Sequence, residues 1–244
     1  MPERLGCRRM RAVRELRVET RWDVGFGPCG AEVSEEMLKA MARHPGLRVV
    51  VMSHVDLSLV DPGLLTSLVA RLEEVGVDST KFKRNQVEAI MTAILAEGRR
   101  VKKLNISWNN LSTVDPNLLA RVLTGLQEVK MFMAELTVTQ MEAILTAICA
   151  EDCLVKKLDI SYTNLSSVDP GLLARAVNRL EEVKMSVTYL TTSQVEAVLR
   201  QSLVQTSLRK LKLELDSKDN SELDEGLEAR ARLAIGYLHI YDSL

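Results

Sequence analysis

Apolar residues recur along the chain with a short, repeated spacing. In the stretch VKKLNISWNNLSTVDP (101–116), Val101, Leu104 and Ile106 are apolar and most of the residues between them are polar. The alternation at 104 and 106 predicts a β-strand with one face turned to the interior. After Pro116 the apolar residues follow a helical spacing, which predicts a helix that covers this face.

Nearly the same sequence returns 54 residues later as VKKLDISYTNLSSVDP (155–170), with Tyr162 in place of Trp108. Three copies of this unit cover roughly residues 47 to 208, and each has a short and a long half. Both halves share the spacing L-x-x-L-x-L-x-x-N-x-L. It begins at Leu47, Leu72, Val101, Leu126, Val155, Leu180 and Leu208, in steps of 25 and then 28 or 29 residues. A degenerate eighth copy begins at Val13. No copy can bury its apolar face alone, so neighbouring copies must stack.

The predicted helices carry start signals. In the short halves an Asp-Pro pair precedes each helix, with Asp as the N-cap and Pro in the first turn. In the long halves, Thr137 with Gln140 and Thr191 with Gln194 have the spacing of a capping box. Further helices are expected at 34–42 and 221–235. We predict that residues 1–46 cap one end, that residues 47–215 form the repeats, and that residues 216–244 cap the other end.

This spacing resembles the leucine-rich repeat. The alternation of shorter and longer repeats is similar to the ribonuclease-inhibitor-like subclass, which also forms the sensor arrays of NOD-like receptors. The resemblance implies an α/β solenoid shaped as a horseshoe, with seven to eight repeats, parallel strands on the concave face and helices on the convex face. The resemblance implies that the chain binds another molecule but does not indicate which one, because proteins of this fold bind many unrelated partners.

The chain departs from the family pattern at the Asn position. Only Asn109 is Asn there, and the equivalents are Val55, Thr80, Ala134, Thr163 and Thr188. In such repeats the Asn side chain satisfies buried backbone groups in the turn. A Thr hydroxyl can replace it in part. At Val55 and Ala134 we expect looser turns or bound water.

Composition and charge limit the kinds of partner that the chain is expected to bind. The net charge is −1, from 32 basic and 33 acidic residues, so nothing draws the chain toward nucleic acid or an anionic membrane. No apolar run is long enough to span a membrane. The Arg-rich N-terminus lacks the apolar region of a secretory signal, and Glu3 and Glu15 fit a mitochondrial transit peptide poorly. We therefore expect a cytoplasmic protein in which Cys7, Cys29, Cys149 and Cys153 are reduced thiols.

The residues give no support for catalysis. Phosphate-binding, zinc-protease and serine-hydrolase motifs are absent, and His44, His54 and His239 are scattered. We expect no enzyme activity, no cofactor and no metal. A ribonuclease inhibitor binds basic enzymes through an acidic concave face, and the nearly neutral face expected here argues against that role.

Charged pairs alternate from strand to strand. Lys102-Lys103 and Lys156-Lys157 lie in short halves, whereas Glu73-Glu74 and Glu181-Glu182 lie in long halves. Adjacent strands are about 4.8 Å apart. These residues form either a charged docking stripe or a ladder of cross-strand ion pairs, and we favour the ladder.

The eighth position of each repeat is expected to face outward at the end of the concave strand. Its residues are His54, Ser79, Trp108, Met133, Tyr162 and Val187. Trp108 and Tyr162 should lie two strands apart, roughly 10 Å, with Met133 between them. Exposed aromatic and Met side chains are typical anchors of protein interfaces. Folding of these side chains onto the neighbouring loop is the alternative.

The sequence thus predicts a non-catalytic, monomeric scaffold that binds a protein partner on its concave face, without nucleic acid or membrane. The predicted anchor consists of Trp108, Tyr162, Met133 and Phe132, bordered by Lys103, Lys130 and Lys157, with His54 at the same repeat position. The alternative is a regulatory array of a larger NOD-like-receptor-type protein that acts through its convex helices or caps. A decayed gene product without a partner is a third possibility.

Overall fold

A computed structural model describes residues 13–19, 22–23, 27–28, 33–98, 100–215 and 223–242. Within it the chain forms two compact units, unit 1 up to Asn110 and unit 2 from Leu111 onward. Cys7, Cys29 and parts of both predicted caps lie outside the described residues. The predicted division into caps and repeats stays a prediction.

Unit 1 has a parallel sheet with helices between successive strands. The strands are β1 (Glu15–Glu19), β4 (Val49–Ser53), β5 (Glu74–Gly76) and β6 (Lys103–Asn105), which pair in this order. A short antiparallel pair joins β2 (Trp22–Asp23) and β3 (Gly27–Pro28). The helices are α1 (Glu35–Arg43), α2 (Pro62–Val69) and α3 (Arg84–Leu95). Each helix packs on the next.

Unit 2 repeats this organisation. Its parallel strands are β7 (Glu128–Lys130), β8 (Lys157–Asp159), β9 (Glu182–Leu190), β10 (Lys210–Leu215) and β11 (Tyr237–Asp242). Its helices are α4 (Pro116–Thr124), α5 (Val138–Ile148), α6 (Pro170–Arg179), α7 (Thr192–Val204) and α8 (Glu225–Ala234). From α1 onward, helix and strand alternate among the described residues of each unit, which confirms the predicted α/β solenoid of parallel strands.

One side of each sheet carries a row of buried aliphatic side chains. In unit 2, Val129, Leu158, Val183 and Leu211 lie in register, and all are at most 3% exposed. The residues that alternate with them form what we term the open face of the sheet. This follows from the period of two along a strand.

The helix starts follow the sequence signals. Asp115 caps α4, and its Oδ1 accepts a hydrogen bond from the backbone N of Leu118 at 2.9 Å. In α5 the hydroxyl of Thr137 accepts from the backbone N of Gln140, while Gln140 Oε1 accepts from the backbone N of Thr137 at 2.9 Å. The predicted helix N-cap at Asp115 and the predicted capping box of Thr137 and Gln140 are therefore confirmed.

The capping glutamine has a second role that the spacing did not predict. Gln140 Nε2 donates to the backbone oxygens of Leu111 and Val114 in the preceding repeat, both at 2.7 Å. Gln86 and Gln194 make the same two bonds, and all three side chains are buried. A Glu at this position could cap the helix but could not donate, so the contact requires an amide.

The turns at the Asn position differ in their hydrogen bonds. Asn109 Nδ2 donates to the backbone oxygens of Val77 at 2.8 Å and Ser107 at 3.1 Å. The hydroxyl of Thr188 donates to a turn carbonyl at 3.0 Å, and that of Thr80 does the same. Thr163 is different, because its buried Oγ1 has no hydrogen-bond partner among the described residues. A Thr hydroxyl therefore replaces part of the Asn function at two of its three positions.

The expectation for the two apolar turns stays a prediction. Val55 and Ala134 are buried, at 1% and 0% exposure. The backbone oxygen of Ala134 accepts a hydrogen bond from the backbone N of Leu111 at 3.0 Å.

Candidate interaction surface

The eighth residue has a left-handed backbone in six of the repeats. The φ angles of His54, Ser79, Trp108, Met133, Tyr162 and Val187 lie between 53° and 61°. This region is disfavoured for residues other than glycine, at a cost of roughly 1–2 kcal/mol for each residue. The same unfavourable conformation at six equivalent positions indicates that the surrounding fold imposes it.

Hydrogen bonds to the next repeat hold this conformation. In unit 2, Met133 N donates to Ser161 O at 3.0 Å, and Tyr162 N donates to Ser186 O at 2.8 Å. In unit 1, His54 N donates to Asp78 O at 3.0 Å. The ninth residues of these six repeats are then buried. The left-handed turn thus directs the ninth side chain inward and leaves the eighth at the surface.

The eighth side chains differ in exposure. Trp108 is 49% exposed, Tyr162 46% and Met133 37%, whereas His54, Ser79 and Val187 are half-buried. The large apolar residues at this position are therefore the most exposed, which is the opposite of what burial of apolar surface favours.

The predicted anchor is divided between the two units. Trp108, His54 and Lys103 belong to unit 1, and the other five predicted residues belong to unit 2. Within unit 2 the rings of Phe132 and Tyr162 meet edge to face with centroids 4.9 Å apart. The structure therefore brings Phe132 and Tyr162 together. The predicted spacing of Trp108 and Tyr162 stays a prediction.

Sequence reasoning missed a second left-handed position. In the long halves the tenth residues Lys81, Glu135 and Tyr189 have φ angles of 54°, 51° and 55°. Tyr189 is 46% exposed and adds an aromatic side chain to the surface of unit 2. The 54-residue period could have located this position, but no glycine marks it.

The charged pairs form the cross-strand ladder. Lys157 Nζ lies 2.8 Å from Glu182 Oε1, and Lys156 Nζ lies 3.0 Å from Glu181 Oε1. In unit 1, Lys103 Nζ lies 3.5 Å from Glu74 Oε2. The hydrogen bond from Lys157 lowers the pKa of Glu182, and the same bond raises the pKa of Lys157. These pairs are solvent-exposed, so each stabilises the fold only slightly.

The surface of unit 2 has depressions. One, of about 230 Å³, lies on the open face and is lined by charged residues that include Lys130, Lys157, Lys184 and Lys210. Another, of about 450 Å³, lies by α6 and α7 and is lined by residues that include Arg175 and Asn178. Both are shallow and polar, which suits contact with a macromolecule better than enclosure of a small molecule.

The described residues offer little reactive chemistry. They contain no group of three or more His, Cys, Asp or Glu placed to hold a metal ion. Cys149 and Cys153 are half-buried free thiols, and burial raises the pKa of Cys153. No helix among these residues combines the length and hydrophobicity needed to cross a membrane.

Comparisons with known proteins agree with this geometry. The family model described as Leucine Rich Repeat matches residues 100–122. The chain is similar in structure to the leucine-rich repeat-containing protein LegL7 from Legionella pneumophila, with a TM-score of 0.51 and 12% identity, over 93% of this chain and 91% of that one. No curated protein matches the chain. The fold is therefore that of a leucine-rich repeat protein.

Proposed function

We propose that this chain is a non-catalytic scaffold that recognises a protein partner through the open faces of its sheets and the edge that the eighth residues form within each unit. The observation that carries the proposal is the exposure of large apolar side chains on a strained backbone. Trp108, Met133 and Tyr162 stay partly exposed at the surface, although burial of their remaining apolar area would stabilise the fold.

The chemistry of the edge suits a protein partner. Trp and Tyr are the residues most enriched in interface anchors, and Met adapts to irregular surfaces. The edge-to-face contact with Phe132 orders the Tyr162 ring, which lowers the entropy lost on binding. Lys103, Lys130 and Lys157 are exposed on the adjacent open faces and would form a polar rim.

The ribonuclease-inhibitor-like subclass, the cytoplasmic location and the monomeric state belong to the same proposal. The alternation of repeat lengths supports the subclass. The balanced charge and the ion-pair ladder support a protein partner over nucleic acid, since nucleic acid requires a large positive excess.

Affinity capture with matched variants tests the proposal. The wild-type chain and a Trp108→Ala, Tyr162→Ala variant are compared by quantitative mass spectrometry of co-purified proteins. A control variant carries Leu59→Ala and Leu233→Ala, which truncate apolar side chains that are 91% and 90% exposed. Both variants should keep a melting temperature within a few degrees of the wild type.

The expected result is a partner that is lost with the Trp108 and Tyr162 substitutions and kept with the control. Equal capture by all three proteins would contradict the proposed edge. Loss with the control alone would favour the alternative surface, because Leu59 precedes α2 and Leu233 lies on α8.

A further inference from the structure

The depression beside α6 and α7, of about 450 Å³, is lined by basic and neutral polar side chains. The lining comes mainly from the C-terminal halves of these two helices and includes Arg175, Arg179, Gln201, Gln205 and Ser207. No carboxylate is among the described residues that line it. Guanidinium, amide and hydroxyl groups all donate hydrogen bonds, so this part of the surface offers many donors and a positive charge.

The third copy of the 54-residue unit alone has this combination of residues. The second copy has Gly125 where the third has Arg179, and Glu151 where the third has Gln205. The first copy also has a glutamate, Glu97, at the position of Gln205. The corresponding helices form in all three copies, so the packing of the repeat does not require this change of charge.

Carbonyl groups at the helix ends would oppose an anion here, and two of them are already hydrogen-bonded. A helix C-terminus carries partial negative charge on its free carbonyls. The backbone oxygen of Ala150, just beyond α5, accepts from Arg179 Nη2 at 2.9 Å, and that of Asn178 accepts from Ser207 N at 2.9 Å. A guanidinium has five N–H donors, so this bond orients Arg179 and leaves it donors for a ligand.

The described residues do not satisfy every polar group of this lining. Asn178 is 5% exposed, and its Nδ2 donates to the backbone oxygens of Ala174 and Val198, both at 3.0 Å. Its Oδ1 is buried and has no hydrogen-bond partner among the described residues. Turning the amide over would lose both existing bonds. The lining therefore combines several donors with a buried acceptor that lacks a donor.

We propose that this depression binds a phosphomonoester group, held by the guanidinium groups of Arg175 and Arg179. A phosphomonoester carries a charge of about −1.5 to −2 at pH 7 and three acceptor oxygens, which matches two arginines. Its protonated form also has an O–H that can donate to Asn178 Oδ1, whereas a carboxylate at neutral pH only accepts. The site uses none of the residues of the proposed edge, so the inference goes beyond the proposed function and does not depend on it.

The phosphate can belong to a phosphorylated side chain of a protein or to a small phosphorylated molecule. The shallow form of the depression favours the first source, because a small ligand is usually enclosed. Leu203 and Val204, which directly precede Gln205, are 39% and 82% exposed. They offer apolar contact area to the residues that flank a phosphorylated side chain.

Fluorescence anisotropy on the full chain tests the proposal with fluorescein-labelled peptides that differ only in their central residue, which is phosphoserine, serine or aspartate. The wild-type chain should bind the phosphoserine peptide at least about tenfold more tightly than the serine peptide. The variant Arg175→Gln, Arg179→Gln should lose this difference.

A matched control removes the same charge at the corresponding positions of the other two copies. It carries Arg71→Gln and Arg121→Gln, both on exposed residues. Arg71 Nη1 donates to the backbone oxygen of Ala42 at 3.1 Å, as Arg179 does to Ala150, so both variants lose an equivalent structural bond. The control should bind the phosphoserine peptide within about twofold of the wild type. Melting temperatures of both variants verify folding.

Equal binding or no binding of the phosphoserine and serine peptides by the wild type, or an equal loss in both variants, would overturn the proposal. Binding of the aspartate peptide as tight as that of the phosphoserine peptide would assign the site to carboxylates and also overturn it. Competition with free phosphoserine separates the two sources. Displacement at a concentration near the Kd of the peptide supports a small molecule, and displacement only at much higher concentration supports a protein side chain.

The two proposals of this chain fail separately. The Trp108→Ala, Tyr162→Ala variant should keep its affinity for the phosphoserine peptide, because it leaves both arginines of the depression in place. The Arg175→Gln, Arg179→Gln variant should in turn keep the partner that depends on Trp108 and Tyr162.

Discussion

Two turns of almost the same sequence, SWNNLS (107–112) and SYTNLS (161–166), satisfy their buried groups in different ways. At the first, Asn109 donates three hydrogen bonds to backbone oxygens and accepts one from Thr80. At the second, the hydroxyl of Thr163 is buried without a partner among the described residues. Both turns nevertheless have the same left-handed eighth residue, with φ of 58° at Trp108 and 61° at Tyr162.

The asparagine contact differs between the copies, whereas a contact of the capping glutamine does not. The glutamine that clasps the preceding repeat is present in all three copies and makes the same two bonds in each. Just after the Thr163 turn, Gln194 Nε2 still donates to Leu165 O at 2.7 Å. The glutamine therefore bonds to the preceding repeat whether or not the turn there contains an asparagine. The asparagine bonds add to this contact only at Asn109.

Of the substitutions that test this difference between the two turns, replacing Asn109 should change the free energy of unfolding most. Asn109→Thr removes most of the donors to three buried carbonyls and should lower the free energy of unfolding by about 2 kcal/mol. Urea titration followed by circular dichroism measures the change. Asn117→Thr, at an exposed position of α4, is the control and should change it by less than about 0.5 kcal/mol. A similar effect of the two substitutions would show that the Asn109 bonds add nothing.

The converse substitution should have a smaller effect of opposite sign. Thr163→Asn supplies donors to the carbonyls around residues 160 and 161, as Asn109 does in the first turn. We expect a gain of about 1 kcal/mol in the free energy of unfolding. Thr163→Val, which removes the unpartnered hydroxyl at nearly constant volume, should be neutral or slightly stabilising. A clear loss of stability in Thr163→Val would mean that the hydroxyl does make a hydrogen bond. The two turns would then satisfy their buried groups in similar ways.

The smallest effect is expected at the charged ladder, where the two copies also differ. Lys103 pairs with Glu74 on the preceding strand, whereas Lys157 pairs with Glu182 on the following strand. Lys157→Met should leave the urea midpoint at neutral pH and 0.5 M salt unchanged, because exposed pairs are screened. A large destabilisation would contradict the exposed ladder.

The pH dependence of this pair has a defined sign. The pKa of Glu182 is lowered in the folded state, chiefly by the hydrogen bond from Lys157. Its contribution is therefore present above the unfolded pKa, near 4.3, and is lost as the pH falls through the folded pKa. In low salt, Lys157→Met should flatten that acid limb of the stability curve.

Much of the fold could be predicted because its signals are local and periodic. The caps at Asp115 and Thr137 depend on neighbouring residues of the chain, and the alternation at Leu104 and Ile106 assigns the strand faces directly. The surface position of Trp108, Met133 and Tyr162 followed from the same register. Tyr189 escaped prediction because its exposure depends on a second left-handed residue that no glycine marks.

By itself, then, the sequence determined the repeat length, the strands, the helix starts and which side chains of each repeat face outward, since a periodic pattern leaves a single way to bury the apolar set. Only the tertiary structure decided the rest. It placed Gln140 against the preceding repeat, left Thr163 without a partner and paired Lys157 forward where Lys103 pairs backward. Those outcomes depend on contacts between repeats, which the spacing within one repeat does not encode.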